Sequence, residues 1–149
     1  MYPEGETGVN GPGPYSMDEL VSIVEEPDGR RVKHYRELWV WIQGMELVRE
    51  VYRLTSQLPK EEMYGLTSQL RRAAVSVPSN IAEGWARNKS GHLIQGLNYS
   101  RGSLHEVETQ LMICVDLGFL ISSDVGPLLT KIGGISAGIL KFINNHPVK

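Results

Sequence analysis

Cysteine is almost missing from this sequence: Cys114 is the only one. A single thiol excludes an intramolecular disulfide and any zinc site built from several cysteines. Its neighbours Leu111, Met112 and Ile113 mark it as a small core residue rather than a reactive thiol. Long apolar runs are missing as well. None approaches the roughly 20 residues that span a bilayer. The N-terminus lacks the basic stretch and apolar run of a signal peptide. The expected compartment is the cytoplasm, with no membrane partner. Histidine is scarce, and His92 and His105 are too far apart for an i, i+4 metal pair. No HExxH, paired ExxH, GxxxxGK[ST] or GxGxxG pattern occurs, and the GxSxG spelling at Gly134–Gly138 forms no nucleophile elbow, since no strand precedes it. The runs "GPGPYS" and "GGISAG" lack the strand-turn-helix setting that cradles a phosphate. These absences lead to an expectation of no enzymatic activity, no cofactor, no metal and no small-molecule substrate.

What remains is an ordinary globular composition, 41% hydrophobic and 21% charged, in 149 residues. That length suits one domain with a core of its own. The net charge is only −2, but it is unevenly placed. Residues 1–34 carry seven acids (Glu4, Glu6, Asp18, Glu19, Glu25, Glu26, Asp28) against Arg30, Arg31 and Lys33, a balance of −4. Residues 35–149 hold ten acids and twelve bases, a balance of +2. Residues 1–16, "MYPEGETGVNGPGPYS", cannot bury enough apolar surface to offset their ordering entropy. Residues 1–34 therefore read as a flexible acidic leader, and 35–145 as the folded domain. Within the leader, "MDELVSIVEE" suits a short helix, Pro27-Asp28-Gly29 a turn, and Met17 offers a second start.

Helical spacing dominates from His34 onward. Helix one, "YRELWVWIQGMELVREVYRLTSQL", carries two apolar stripes. One is Leu38, Trp41, Met45, Val48 and Tyr52; the other is Val40, Leu47, Val51, Leu54 and Leu58. Two stripes exceed what one neighbour covers, which points to a bundle core on one side and a subunit contact on the other. Pro59 ends this helix or opens the next, with Glu61 and Glu62 in a first turn. Helix two is expected from Lys60 to Arg87, with Met63, Leu66, Leu70, Ala73 or Ala74, Val77, Ile81 and Trp85 inward. Pro78 should bend or split it, and Ser76, Ser79 and Asn80 stand near the backbone groups it frees. Helix three is expected from Gly91 to Leu117, with Leu93, Leu97, Ser100, Leu104, Val107, Leu111 and Cys114 inward and Gly118 as C-cap. Helix four follows Ser122 or Ser123 as N-cap, with Val125, Leu128, Ile132, Ile135, Ile139 and Phe142 on one face. Gly133, Gly134 and Gly138 are placed to let a neighbour approach closely. Long helices and short loops predict an all-α, up-down antiparallel four-helix bundle.

The polar residues with a possible function lie around helix two. Arg71, Arg72, Arg87, Lys89 and Arg101 form its basic set, the candidates for phosphate contact. Solvated arginines, or pairing with Glu83 and other acids, is the plainer alternative. Glu106 and Glu108 read as surface or inter-helix partners of arginines. The tyrosines and tryptophans mostly fall on apolar stripes, so exposed stacking platforms are not expected.

The words of the sequence add to its periodicity. "LTSQLRRAAVSVPSNIAEGWAR" resembles the signature of the bacterial four-helix-bundle family encoded in intervening sequences of 23S rRNA genes. "YSRGSLHEVETQLMICVDLGFL" is similar to that family's third-helix motif, and "VREVYRLTSQLPKEEMYGL" to its first junction. The resemblance covers roughly residues 38–143. It implies a ring-forming bundle, a pentamer, in a family not known for catalysis. The accessory variability determinants of diversity-generating retroelements, which are related, form a basic pentamer that binds a reverse transcriptase and nucleic acid. By that resemblance the partners would be further copies of the chain, RNA, or a reverse-transcriptase-like protein. A protein-interaction module without nucleic-acid binding is the alternative. By motif, Arg71, Arg72, Pro78, Asn80, Glu83 and Arg87 are the signature residues of helix two, and Arg101, Ser103, Glu106 and Glu108 those of helix three. The acidic leader and the glycine-rich, charge-poor helix four depart from the family pattern.

Overall fold

A computed structural model describes residues 25–26, 28–87 and 90–146. The expected helix over residues 17–26 and the position of Lys89 lie largely or wholly outside them. Among these residues there are four α-helices: α1 (Trp39–Thr55), α2 (Leu66–Ala86), α3 (Ser90–Asp116) and α4 (Ser122–Asn145). Among the described residues there is no strand, only an isolated bridge from Glu25 to Arg31 around a turn with Gly29 at φ 80°.

Each helix packs on the next, and the last returns to the first. Side-chain partners show that neighbours run in opposite directions. Gln69 meets Gln110, Ser76 meets Ser103, and Gly84 lies against Gly96, so numbers rise along α2 as they fall along α3. Trp39 covers Gly138 and Glu46 reaches Lys131, giving α1 and α4 the same opposed order. Between α1 and α2, Gly44 sits on Val77 and Tyr52 lies under Arg71. The bundle is therefore up-down and antiparallel.

The inward stripes of helices three and four are buried at every position expected, Cys114 included. Burial and the nearby Glu62 carboxylate push the Cys114 thiol above its ordinary value, which keeps it protonated and unreactive. On α1 the stripe of Val40, Leu47, Val51 and Leu54 faces the core, joined by Leu58 just past the helix end. The other stripe is graded: Leu38 is buried, Trp41 and Val48 are partly buried, and Tyr52 is 44% exposed.

Helix ends depart from expectation for local reasons. α1 starts at Trp39, because Leu38 is extended (ψ 127°). Its first N–H is capped from a distance: Trp39 N–H donates to the buried Glu26 carboxylate at 2.7 Å. A carboxylate suits that positive helix end. Val32 is likewise fully buried. α2 begins at Leu66 rather than Lys60. Lys60–Glu62 form a 3-10 turn, and Gly65 (φ −106°, ψ −117°) leaves the helical region. Glu62 then accepts the Leu66 N–H at 3.0 Å. Met63, expected inside, is 49% exposed on that turn. α4 is capped by neither Ser122 nor Ser123; its N-cap is Ile121, without a side-chain bond. Gly118 does cap α3, at φ 76°, with Phe119 N–H reaching the Cys114 carbonyl and Gly118 N–H that of Val115.

Pro78 does not split α2, which is continuous from Leu66 to Ala86. The proline is buried, with Gly44 of α1 against its ring. Proline removes the donor that would bond the Ala74 carbonyl. Ser76 and Ser79 do not bond that carbonyl; their hydroxyls donate to the Ala73 and Val75 carbonyls on either side, at 2.6 and 2.7 Å. From α3, Ser100 donates to the Val77 carbonyl at 2.6 Å. Asn80 makes no side-chain hydrogen bond among the described residues.

Candidate nucleic-acid interface

The basic residues singled out by sequence do not share one surface. Arg71 and Arg72 stand near the start of α2 and Arg87 caps its end, about 24 Å away at 1.5 Å per residue. Arg101 lies on α3 toward α4, where its Nε donates to Ser136 at 3.2 Å.

Their pairing also differs. Arg87 bonds Glu83 at 2.7 Å, one turn back on the same helix face. Glu83 is thus spent on Arg87, not on Arg71 or Arg72. Arg71 turns toward α1. Its Nε donates to Thr55 at 2.9 Å, and its guanidinium lies 4.5 Å from the Tyr52 ring centre. That contact is a cation–π stack. Arg72 is exposed and makes no ion pair among the described residues. Glu106 is exposed, while Glu108 pairs with His105 at 3.3 Å instead of with an arginine. Ser103 is engaged by the Ser76 hydroxyl at 2.6 Å, which makes it an interhelical contact.

Aromatics that sequence reasoning missed surround Arg71 and Arg72. A groove of about 410 Å³ is lined by Tyr52, Met63, Tyr64, Thr67, Ser68, Arg71, Arg72 and Val75. Tyr64 is 96% exposed. The expectation of no exposed stacking platform is therefore corrected. The signal was present in the sequence: Tyr64 precedes Gly65 in a short run after Pro59, where loop exposure outweighs helical periodicity.

A second, smaller groove, about 170 Å³, lies at the other end of α2 between Asn80, Glu83, Arg87, His92, Gln95 and Tyr99. Its floor is a close crossing of α2 and α3 at Gly84 and Gly96. A Cβ on Gly84 would lie 2.7 Å from the His92 carbonyl, and one on Gly96 would strike the Asn80 carbonyl. Only glycine admits that approach. The expected close approach on α4 holds for Gly138, where the Trp39 ring fills the space, but Gly133 and Gly134 face open space.

Among the described residues no group of three or more histidine, cysteine, aspartate or glutamate side chains is placed to hold a metal ion. No helix there is long and apolar enough to cross a membrane.

Comparison with known proteins settles the relationship. The family described as 23S rRNA-intervening sequence protein matches residues 36–141, well over half of the chain. The chain belongs to that family. A crystal structure of a protein of unknown function from the S23 ribosomal protein family, from Bacteroides thetaiotaomicron VPI-5482, has a similar fold with a TM-score of 0.65. It shares 17% identity, and the match covers 70% of this chain and 97% of that one. At that identity the likeness shows the fold alone. No functionally curated protein matches the chain. Membership in the 23S rRNA-intervening sequence family fits all four helices of the bundle, since its span runs from the turn before α1 into α4.

Proposed function

We propose that this member of the 23S rRNA-intervening sequence family is a non-enzymatic, self-associating bundle that contacts RNA or a nucleoprotein through the Arg71/Arg72 end of α2. The observation that carries the reading is Arg72: an exposed guanidinium without an ion-pair partner among the described residues, beside a second arginine held by Thr55 and Tyr52. Phosphate contact needs fixed cations that are not already neutralised. Arg87 is neutralised by Glu83 and is a weaker candidate. The test is electrophoretic mobility of a structured RNA with the wild type and with an Arg71/Arg72 double alanine variant. Weaker binding by the variant is expected, and equal binding by both overturns the reading.

Self-association rests on apolar side chains left at the surface. Trp39 and Ile42 on α1, with Met112 and Ile113 on α3 and Leu117 just past its end, are each at least 39% exposed. Exposed apolar groups of that number favour burial against another chain. Five copies are the number that the family resemblance implies. Light scattering should return a multiple of the 16.6 kDa chain mass. A monomer at micromolar concentration contradicts it.

The same apolar residues favour a second reading, in which the assembly holds another protein and no nucleic acid. A pull-down that recovers protein but no nuclease-sensitive material would select it.

A further inference from the structure

The groove beside Arg71 and Arg72 has the chemistry of a stacking site, and we infer that it takes an unpaired nucleotide of a single strand in preference to a duplex. The inference rests on the nucleic-acid reading above and narrows it. Tyr64 stands almost wholly in solvent, on a turn that fixes its backbone between the 3-10 segment and α2. Its ring has given up nothing to the core, so both faces are open to a planar partner. Across the groove, Tyr52 is preset by the Arg71 guanidinium 4.5 Å from its ring centre. Met63 and Val75 supply an apolar floor, and both are more than 40% exposed.

Charge complements the occupant. The lining residues include two arginines and no carboxylate. The nearest acid in sequence, Glu62, is turned inward to accept the Leu66 N–H. Arg72, without an ion-pair partner among the described residues, is placed for a phosphate while a base lies on a tyrosine. Stacking on aromatic side chains with arginines along the backbone is how sequence-tolerant single-strand binding works. A duplex keeps its bases inside the stack and offers the tyrosines nothing. Thr67 and Ser68 also line the groove, Thr67 from a buried position.

The experiment is fluorescence anisotropy of the full chain with a labelled oligouridine, the matching oligodeoxythymidine and a blunt-ended RNA duplex of equal charge. Tyr64→Ala, Tyr64→Phe and Arg72→Ala are compared with the wild type. The single strands are expected to bind more tightly than the duplex. Tyr64→Ala should weaken single-strand binding roughly ten-fold, with Tyr64→Phe close to wild type. Arg72→Ala should lower the slope of log affinity against log salt by roughly one phosphate's worth. Tyr64 dependence with the ribo strand, the deoxy strand or both supports the site and identifies the strand. Preferential duplex binding, or binding indifferent to Tyr64→Ala, overturns this inference while the broader RNA reading stands. Absence of binding to every probe overturns both. The far-ultraviolet circular dichroism of Tyr64→Ala should match wild type, since its ring is 96% exposed.

Discussion

The two ends of α2 carry the same residue type and put it to different use. At the C-terminal end, Gly84 and Gly96 bring α2 and α3 into backbone contact, and Arg87 closes on Glu83. That end is tight, and its arginine is paired. At the N-terminal end, a 3-10 turn and Gly65 hold the chain away from helical geometry, so Met63 and Tyr64 project outward. Arg71 leans on α1, and Arg72 has no ion-pair partner among the described residues. Counting cations along the sequence treats these arginines as equals. Pairing separates them: a cation one turn from a glutamate is screened, while a cation among tyrosines is available. On the function proposed above, the difference leaves structure to one end of the helix and recognition to the other.

The largest expected effect breaks the tight end. Gly96→Leu would drive a side chain into the Asn80 carbonyl, which belongs to backbone and cannot step aside. Overpacking of this kind costs about 3 kcal/mol or more, and chemical denaturation should show that loss with the bundle end splayed. A smaller effect tests the far side of the bundle, away from both ends. Lys131 on α4 reaches Glu50 at 2.8 Å and Glu46 at 2.9 Å on α1. Lys131→Met should cost about 1 kcal/mol in denaturant melts, since the pair is only partly shielded from water.

The same lysine sets a pH dependence. Its hydrogen bonds to Glu50 and then Glu46 raise its folded value above the ordinary 10.5. The stabilisation is therefore complete below 10.5 and fades as pH climbs through the higher folded value. Wild type and Lys131→Met should differ in stability at neutral pH and converge in strong alkali. The smallest effect is at the helix end itself. Arg87→Ala removes one exposed i, i+4 pair and should cost only about 0.3–0.5 kcal/mol.

Much of this architecture was legible in the residues. On α3 and α4 every inward position followed from three- and four-residue spacing, because long amphipathic helices repeat the signal many times. Gly118 as C-cap was legible too, since a left-handed residue at a helix end has few chemical solutions. Helix starts were less so. Trp39 is capped by Glu26, thirteen residues upstream, and Ile121 by no side chain at all. No local pattern encodes a cap delivered from a distance. The Gly84–Gly96 crossing was overlooked because contact between helices is invisible to the periodicity of either one. Met63 was misplaced for a related reason: its spacing continued the helix two stripe, but Gly65 ended the helix before it. The candidate groove joins Arg71 and Arg72, singled out from the sequence, to Tyr52, which periodicity placed on an apolar stripe, and to Tyr64, which lay on no stripe.

The central claim is that recognition sits at the Arg72 end of α2 and not at the Arg87 end. RNA binding by wild type, Arg72→Ala and Arg87→Ala, titrated over a series of salt concentrations, tests it most directly. The account predicts that Arg72→Ala flattens the log–log salt slope by roughly one phosphate contact while Arg87→Ala leaves it unchanged. A flattened slope in Arg87→Ala with an unaltered one in Arg72→Ala would contradict it.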